Sequence, residues 1–484
     1  MFPDLSRFRV RCSRLRPAAL PAAVACLVLA VTAGAAPAPA DSTPVYDLAR
    51  CVDEALRSSP SLGIAAENAA IAGQSVRRAW GGFLPSITLS RQYSHSDRTD
   101  FDLETYTIAA DTIWTHGGDY ITLPRQVPTG ILEDVETKSS YRDWRVSANL
   151  NLFDGLGKFG ELKAAREDLA AARLDRRYAR DLVVQNVATA YIDLLRYERL
   201  AEVAAEARDL AARELERTET YFRIGSAARS DVLQAKVRLK QTELDLVRAR
   251  NSVAQAFAQL AHAMNRPLHQ RFAVDRSLLQ SEFRVGDLDS LYRDALALRP
   301  DLASRRHQVR ARAGDVRSAG AGLWPRLDVF ANYTRYRNES PYRFGSQKSE
   351  NFSYGYQLNW NVFDRFQTLT ARSQAKARAR IAEYNLDQAR LDAQLEIRQL
   401  YNQLLEARER IDLSRETIAS SEEELRQAEQ RFRVGSGTML DKITAQVNLA
   451  QARADEVQAI CDFLIASFKM NRATGHPVLA GLQR

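Results

Sequence analysis

The sequence is poor in the residues that build reactive centres. Four cysteines and six histidines occur in 484 residues. No CxxC is present, which excludes a zinc ribbon and a thioredoxin-type redox pair. His95, His116, His262, His269, His307 and His476 show no HxxH or HExxH spacing, so no metal site is expected. GxSxG and P-loop patterns are missing too, and the many carboxylates lie on helical stretches, where a solvated face explains them without an acid–base pair. Neither a catalytic group nor a cofactor is expected, and the chain reads as a non-enzyme. Past the N-terminus no apolar run approaches eighteen residues, so no transmembrane helix is expected. Hydrophobic residues still make up 45% and charged residues 26%, which excludes a disordered chain.

Basic charge is in excess, at +8, but much of it sits in one place. Arg7, Arg9, Arg11, Arg14 and Arg16 precede an apolar stretch from Ala18 to Thr32 and a small-residue tract ending Ala38-Pro39-Ala40. That is the order of a secretory signal, so residues 1–40 are expected to be removed. Their loss takes away five arginines and one aspartate and lowers the net charge to +4, too little to argue for a nucleic-acid partner. Cys51 and Cys461 then remain. An oxidising compartment permits them to pair, but two unpaired packing cysteines is the preferred reading.

What is present is a duplication. The spacing of Leu48, Ala55-Leu56, Pro60 and Leu62 recurs as Leu288, Ala295-Leu296, Pro300 and Leu302. Asn149 to Asp154 (NLNLFD) matches Asn359 to Asp364 (NWNVFD), and Phe222-Arg223-Ile224-Gly225-Ser226 matches Phe432-Arg433-Val434-Gly435-Ser436. About thirty extra residues sit between Tyr93 and Asn149 in the first copy. Neither Gly nor Pro interrupts 161–224 or 366–434, which predicts helices of roughly 95–105 Å. Val183, Val187, Ala190, Leu194 and Tyr197 recur at alternating steps of four and three, a coiled-coil seam.

Four short segments alternate with period two. Trp144, Val146, Ala148, Leu150 and Leu152 make one apolar face, and Phe352, Tyr354, Tyr356, Leu358, Trp360 and Val362 another, each set opposed to small polar residues. Ile87, Leu89, Leu327, Val329, Ala331 and Tyr333 mark the partner strands. This pattern fits lipid outside and water inside. Aromatic girdles are expected from Tyr141, Trp144, Tyr333 and Tyr354 at one end and from Phe153 and Phe363 at the other. Four strands cannot close a barrel, and lipid does not tolerate open edges. Three copies would supply twelve strands. Gly155-Leu156-Gly157-Lys158-Phe159-Gly160 is literally GxGxxG, yet a half-polar strand precedes it and the second copy reads Arg365-Phe366-Gln367-Thr368-Leu369-Thr370. A flexible strand-to-helix turn is expected there, not a dinucleotide site.

In the order and spacing of these motifs the chain resembles the TolC family of outer-membrane efflux proteins. The carriers are the duplicated Leu-x6-Ala-Leu…Pro-x-Leu opening, Leu84-Pro85-Ser86-Ile87 and Trp324-Pro325-Arg326-Leu327, Leu152-Phe153-Asp154-Gly155 and Val362-Phe363-Asp364, and the two Gly-Ser turns leading to Asp231 and Asp441. The resemblance implies an α+β membrane protein, a duplicated strand-strand-long helix-helix unit. As a homotrimer it would form a 12-stranded outer-membrane β-barrel continued by a periplasmic α-helical coiled-coil barrel. Residues 41–261 would be the first repeat, with strands about 85–95 and 141–153, a long helix about 158–224, a tip turn about 225–230 and a helix about 231–264. An equatorial linker would follow at 262–290. The second repeat, 287–475, would hold strands about 325–337 and 350–363, a long helix about 366–434, a tip turn about 435–440 and a helix about 441–474, before a tail at 476–484. Residues 96–139 and 338–348 would be cell-surface loops.

The resemblance further implies a passive exit duct of a tripartite efflux or type I secretion system. A periplasmic adaptor would dock on tips carrying Arg223, Gly225, Ser226, Arg433, Gly435 and Ser436, and would link the duct to an inner-membrane pump. Trp144, Val146, Leu150, Leu152, Tyr354, Tyr356, Leu358, Trp360 and Val362 would face outer-membrane lipid. Asp441, Phe432 and Asp231 would line the periplasmic gate. Thr444 and Gly437 stand where the best-known gate has a second aspartate and an arginine, which leaves a single anionic ring at Asp441 and leaves Asp231 to pair with Arg431 or Arg433. Asp441 reads equally as a helix cap. The alternative from another class is a non-conducting trimeric coiled-coil scaffold or adhesin, which explains the long helices but not the paired strands.

Overall fold

The computed structural model describes residues 45–100, 103–115, 117–132, 135–268, 272–280, 286–339 and 347–478. The expected signal at 1–40 lies outside the described residues. The chain begins with β1 (Val45–Tyr46), α1 (Leu48–Ser58) and α2 (Pro60–Gly81), then runs through β2 (Ser86–Asp100), β3 (Leu103–Trp114), β4 (Tyr120–Leu132) and β5 (Val135–Phe153). Helices α3 (Gly157–Arg223) and α4 (Arg229–Ala263) follow, then β6 (Ala273–Val274), α5 (Leu288–Leu298) and α6 (Pro300–Ala319). The last four elements are β7 (Arg326–Glu339), β8 (Gln347–Asn359), α7 (Gln367–Arg433) and α8 (Met439–Thr474). The order helix, helix, strands, long helix, helix thus occurs twice. Both α3 and α7 are 67 residues long, roughly 100 Å each.

Prolines set the breaks. Pro60 and Pro300 stand at the first position of α2 and α6, where a missing N–H costs nothing. At the lower end of the sheet both long helices start from a pair of residues in the left-handed region, Gly155 and Leu156 (φ 71° and 67°) and Arg365 and Phe366 (φ 57° and 65°). Asp154 and Asp364 secure these starts by accepting the N–H of Lys158 at 2.9 Å and of Thr368 at 2.7 Å.

The GxGxxG stretch is therefore not flexible. A Cβ on Gly155 would lie 2.4 Å from the Ala321 carbonyl oxygen, and one on Gly160 would lie 2.8 Å from both the Gly314 oxygen and the Ser318 nitrogen. Gly160 is required because the α3 backbone lies directly on α6, and Gly155 because its turn lies against the Ala321–Trp324 segment that follows α6.

The main sheet has the order β2-β5-β7-β8, antiparallel throughout. Its register places Leu150, Val329 and Tyr356 in one cross-strand row and Ala148, Ala331 and Tyr354 in the next. The opposite face carries rows such as Ser147, Asn332 and Ser353. Phe330, on that polar face, lies over Gly355, whose missing side chain leaves room for the ring.

Two expectations change here. Strand β8 ends at Asn359, opposite Arg326, because Pro325 stops β7 and leaves Trp360 and Val362 with no strand to pair with. Trp360 instead donates its indole N–H to the Leu323 carbonyl, 3.3 Å away. The segment 96–139, expected as a loop, is mostly strand: β3 and β4 form a second antiparallel ladder. Its mixed apolar and polar order, with Pro124 and Pro128 inside β4, hid the pairing from a search for clean alternation.

The core lies where α1, α3, α4 and α8 meet. Val187, Tyr191, Ile192 and Leu195 pack with Cys51, Leu260, Met264 and Cys461. Of the expected seam, Val183, Val187 and Leu194 are buried, and Ala190 and Tyr197 pack beside them. The Tyr191 hydroxyl donates to the Asp275 carbonyl at 2.6 Å, which fixes the short β1–β6 pair. Cys51 and Cys461 are free and fully buried. Burial pushes their thiols up to about 12 and about 11, so both are packing groups.

The second repeat packs Ala295 from α5 against Ile397, Leu404 and Ile411 of α7 and Phe463 of α8. Arg299, at the α5–α6 break, is 6% exposed and clamps this region. It donates to Asp301 at 3.0 and 2.9 Å, to Glu396 at 2.7 Å and to the Ala473 carbonyl at 3.3 Å.

Gly160→Leu is expected to force α3 off α6, because the atoms in its way are backbone and cannot yield. A loss of about 1–3 kcal/mol, typical of overpacking, should appear as a lower thermal midpoint. Gly63→Leu, where a Cβ meets nothing within 4 Å, serves as the silent control.

Candidate functional site

Two regions stand out on the surface of the chain: the sheet, and the turns that end the long helices. Along the sheet the apolar face is open to the surroundings in this single chain. Tyr354 and Tyr356 are each 77% exposed, Trp144, Val146 and Leu358 are exposed, and Leu150 is half-buried. Ile87, Leu89 and Tyr333 extend the same band. Among the described residues the outer strands, β2 and β8, each have one edge with no strand paired to it. No helix among the described residues is long and apolar enough to cross a membrane.

The two helix ends have the same construction. At the first, Gly225 takes φ 79°, its N–H bonds the Phe222 carbonyl, and the Ser226 N–H bonds the Tyr221 carbonyl at 2.9 Å. At the second, Gly435 takes φ 75°, and the Ser436 N–H bonds the Arg431 carbonyl at 2.9 Å. A glycine in the left-handed region followed by this six-to-one bond satisfies the last carbonyls and reverses the chain within a few residues. The next helices are capped by their third residue: Asp231 accepts the Ala228 N–H at 3.2 Å, and Asp441 accepts the Thr438 N–H at 2.9 Å and its hydroxyl at 2.7 Å. Thr438 returns the bond to the Asp441 N–H at 3.2 Å. The Thr438 donors, with Arg431 acting in the same direction, hold the Asp441 carboxyl below the usual carboxylate value.

This architecture matches known proteins over nearly its whole length. The family described as "Outer membrane efflux protein" matches residues 51–266 and 291–476. The chain belongs to the outer membrane efflux protein family. Among relatives of this family, the alkaline protease secretion protein AprF of Pseudomonas aeruginosa is 26% identical over 328 residues, 66% of this chain and 67% of that protein. The outer membrane protein TolC of Vibrio cholerae is 24% identical over 316 residues, 63% of this chain and 70% of that one. In fold, the outer membrane protein VceC of Vibrio cholerae superposes with a TM-score of 0.70 at 19% identity, covering 89% of this chain and 96% of that one. As a member of the family this chain is an outer-membrane protein.

The expected site residues fall into two groups. Arg223, Gly225 and Ser226 stand together at one tip, and Phe432, Arg433, Gly435, Ser436 and Asp441 at the other, all but the half-buried Phe432 exposed. Asp231 is not paired with Arg431 or Arg433: its carboxylate is engaged as a cap of α4, and among the described residues no ion pair joins it to either arginine. The reason is local, since a carboxylate at the third helical position reaches its own N-terminus at no entropic cost.

Sequence reasoning missed the most buried ion pair of the tip region. Lys442, 1% exposed, donates to Glu214 at 2.6 Å, and its ammonium lies 5.4 Å from the centre of the Phe432 ring. This bond joins α8 of the second repeat to α3 of the first. The signal was present: Met439, Lys442, Gln446 and Leu449 follow the seam spacing of α8, so a lysine there is a charge in an apolar stripe. One Glu214 oxygen, Oε1, and the Gln446 Nε2 remain buried without a hydrogen bond.

Lys442→Met is expected to leave Glu214 buried and unpaired, at a cost of about 3–5 kcal/mol. The double variant with Glu214→Leu should recover most of that loss. A double-mutant cycle on thermal unfolding checks both, and a single variant that unfolds like the parent would refute the coupling.

Proposed function

We propose that the protein is the outer-membrane exit duct of a tripartite efflux or type I secretion system, working as a homotrimer. The observation that carries this reading is the sheet: four strands, one apolar exposed face, one polar face and two open edges. In lipid those edges cost several kcal/mol for each unpaired backbone group. Pairing β8 of one copy with β2 of the next removes them, and three copies make twelve strands with the serine and asparagine rows inside. The duplicated long helices, roughly 100 Å each, would continue the same ring as a coiled-coil barrel through the periplasm. The relatives named for secretion of a protease and for outer-membrane efflux support the reading.

A duct of this kind supplies no energy. An inner-membrane pump would drive transport, and a periplasmic adaptor would engage the exposed tips around Gly225 and Gly435. Opening is then a shift between closed and open tip arrangements, driven by whatever binds the open one better. In a threefold ring Asp441 would place three carboxylates at the entrance, which favours cations. Its hydrogen bonds from Thr438 keep that charge as the pH falls through the ordinary carboxylate value. The cation preference is then lost only at lower pH, once the carboxyl protonates. The scaffold or adhesin reading leaves the two-faced sheet without a use.

Purified protein in a planar bilayer should give discrete cation-preferring channels. Asp441→Asn keeps an oxygen acceptor for the α8 cap but removes the charge, so weaker cation preference and weaker divalent block should come with only a small loss of stability, that of the ionised carboxylate. The absence of channels, even with the tip turns disrupted, would overturn the duct. Unchanged selectivity would move the constriction away from Asp441.

A further inference from the structure

The face of the main sheet that exposes its apolar side chains changes character abruptly along the strands. On β8 it runs away from the long helices through Leu358, Tyr356, Tyr354 and Phe352, and no residue paired with them across the sheet is charged. The next two rows are different. Arg91, Trp144, Arg335 and Glu350 form one, and Tyr93, Arg142, Arg337 and Lys348 form the other. Five cations thus stand against one carboxylate, all of them exposed. The opposite face at the same level carries only Arg145 and Asp143 as charges, already paired at 3.4 Å.

Ring contacts confirm that these side chains share one side. The Arg91 guanidinium lies 5.0 Å from the centre of the Trp144 ring, and that of Arg142 lies 5.3 Å from the Tyr93 ring. A guanidinium laid flat on an aromatic ring keeps its N–H edge free for an oxygen anion. Arg335 pairs with Glu350 at 3.2 Å, and Arg337 pairs with Glu339, one row further on, at 2.8 Å. Arg91, Arg142 and Lys348 have no carboxylate partner among the described residues. Beyond Glu339 the signs are mixed, with His95 beside Asp97 at 3.0 Å and Lys138 opposite Asp97. The positive excess therefore sits at the border of the apolar rows.

We propose that these two rows bind the phosphates of an anionic lipid in the cell-surface leaflet, with its acyl chains on the apolar rows below; the inference rests on the lipid-facing sheet of the proposed function. A charge that faces lipid is costly at mid-membrane and nearly free at headgroup level, which sets the height of Arg91 and Arg142. The long helices leave from the other end of the sheet and would run into the periplasm, so this level belongs to the far leaflet. A soluble anion would use the cations but not the adjoining apolar surface. A lipid uses both. The two rows lie roughly 7 Å apart and hold more cations than one phosphate needs, which favours a headgroup carrying more than one.

Native mass spectrometry of the full-length protein in detergent tests it, with diphosphorylated lipid A as the probe. The parent is expected to hold lipid A in preference to phosphatidylcholine, and excess inorganic phosphate should not displace it. Arg91→Gln combined with Arg142→Gln should weaken binding about tenfold. Removing the same charge from α7, with Arg390→Gln and Arg426→Gln, should change nothing, since each of these makes an exposed pair within its own helix. Glu350→Gln frees Arg335 and should tighten binding, a gain that misfolding cannot mimic. Equal binding by the parent and the Arg91 and Arg142 double variant, no preference over phosphatidylcholine, or displacement by inorganic phosphate overturns the lipid site. Planar-bilayer conductance of the parent keeps the two claims apart. Channels without lipid A binding overturn the lipid site alone, and no channels overturns the duct whatever the lipid result.

Discussion

A sheet with two free edges is the constraint on which the rest of this molecule depends. Strands β2 and β8 each have one edge to which no other strand pairs among the described residues. Water would satisfy them, but the same strands expose tyrosine, tryptophan and leucine along one face, and water does not favour those. Lipid suits the face and forbids the edges. Pairing the sheet with further copies, as proposed above, would meet both demands at once. The precise fit at its base follows. Because Gly160 and Gly314 let α3 and α6 touch backbone to backbone, the strand-to-helix turn has one geometry, and the helices leave the sheet at a fixed angle that every copy repeats.

The two repeats share a plan but not their anchoring. At position 228 the first tip has alanine, and only the Asp231 carboxylate caps α4. At the equivalent position the second tip has Thr438, which exchanges bonds with Asp441. Val232 in the first copy stands where Lys442 stands in the second, so only the second hairpin is tied to its neighbour by a buried ion pair. The two hairpins are alike in plan and unlike in how they are held.

Much of the fold was legible because its signals are long. Helices without Gly or Pro for more than sixty residues, the recurring Gly-Ser turns and a period-two face each integrate over many residues, so local noise averages out. The unread parts depend on single partners. That Trp360 leaves the sheet depends on Pro325 ending the strand opposite. The use of Asp231 as a cap rather than a salt bridge is decided by which donor is nearest. The Glu214–Lys442 pair needs two helices more than two hundred residues apart to be placed side by side, although a lysine within the apolar stripe of α8 marked the position. The β3–β4 ladder escaped for a different reason. With both its faces open, it has no core to impose a clean hydrophobic alternation.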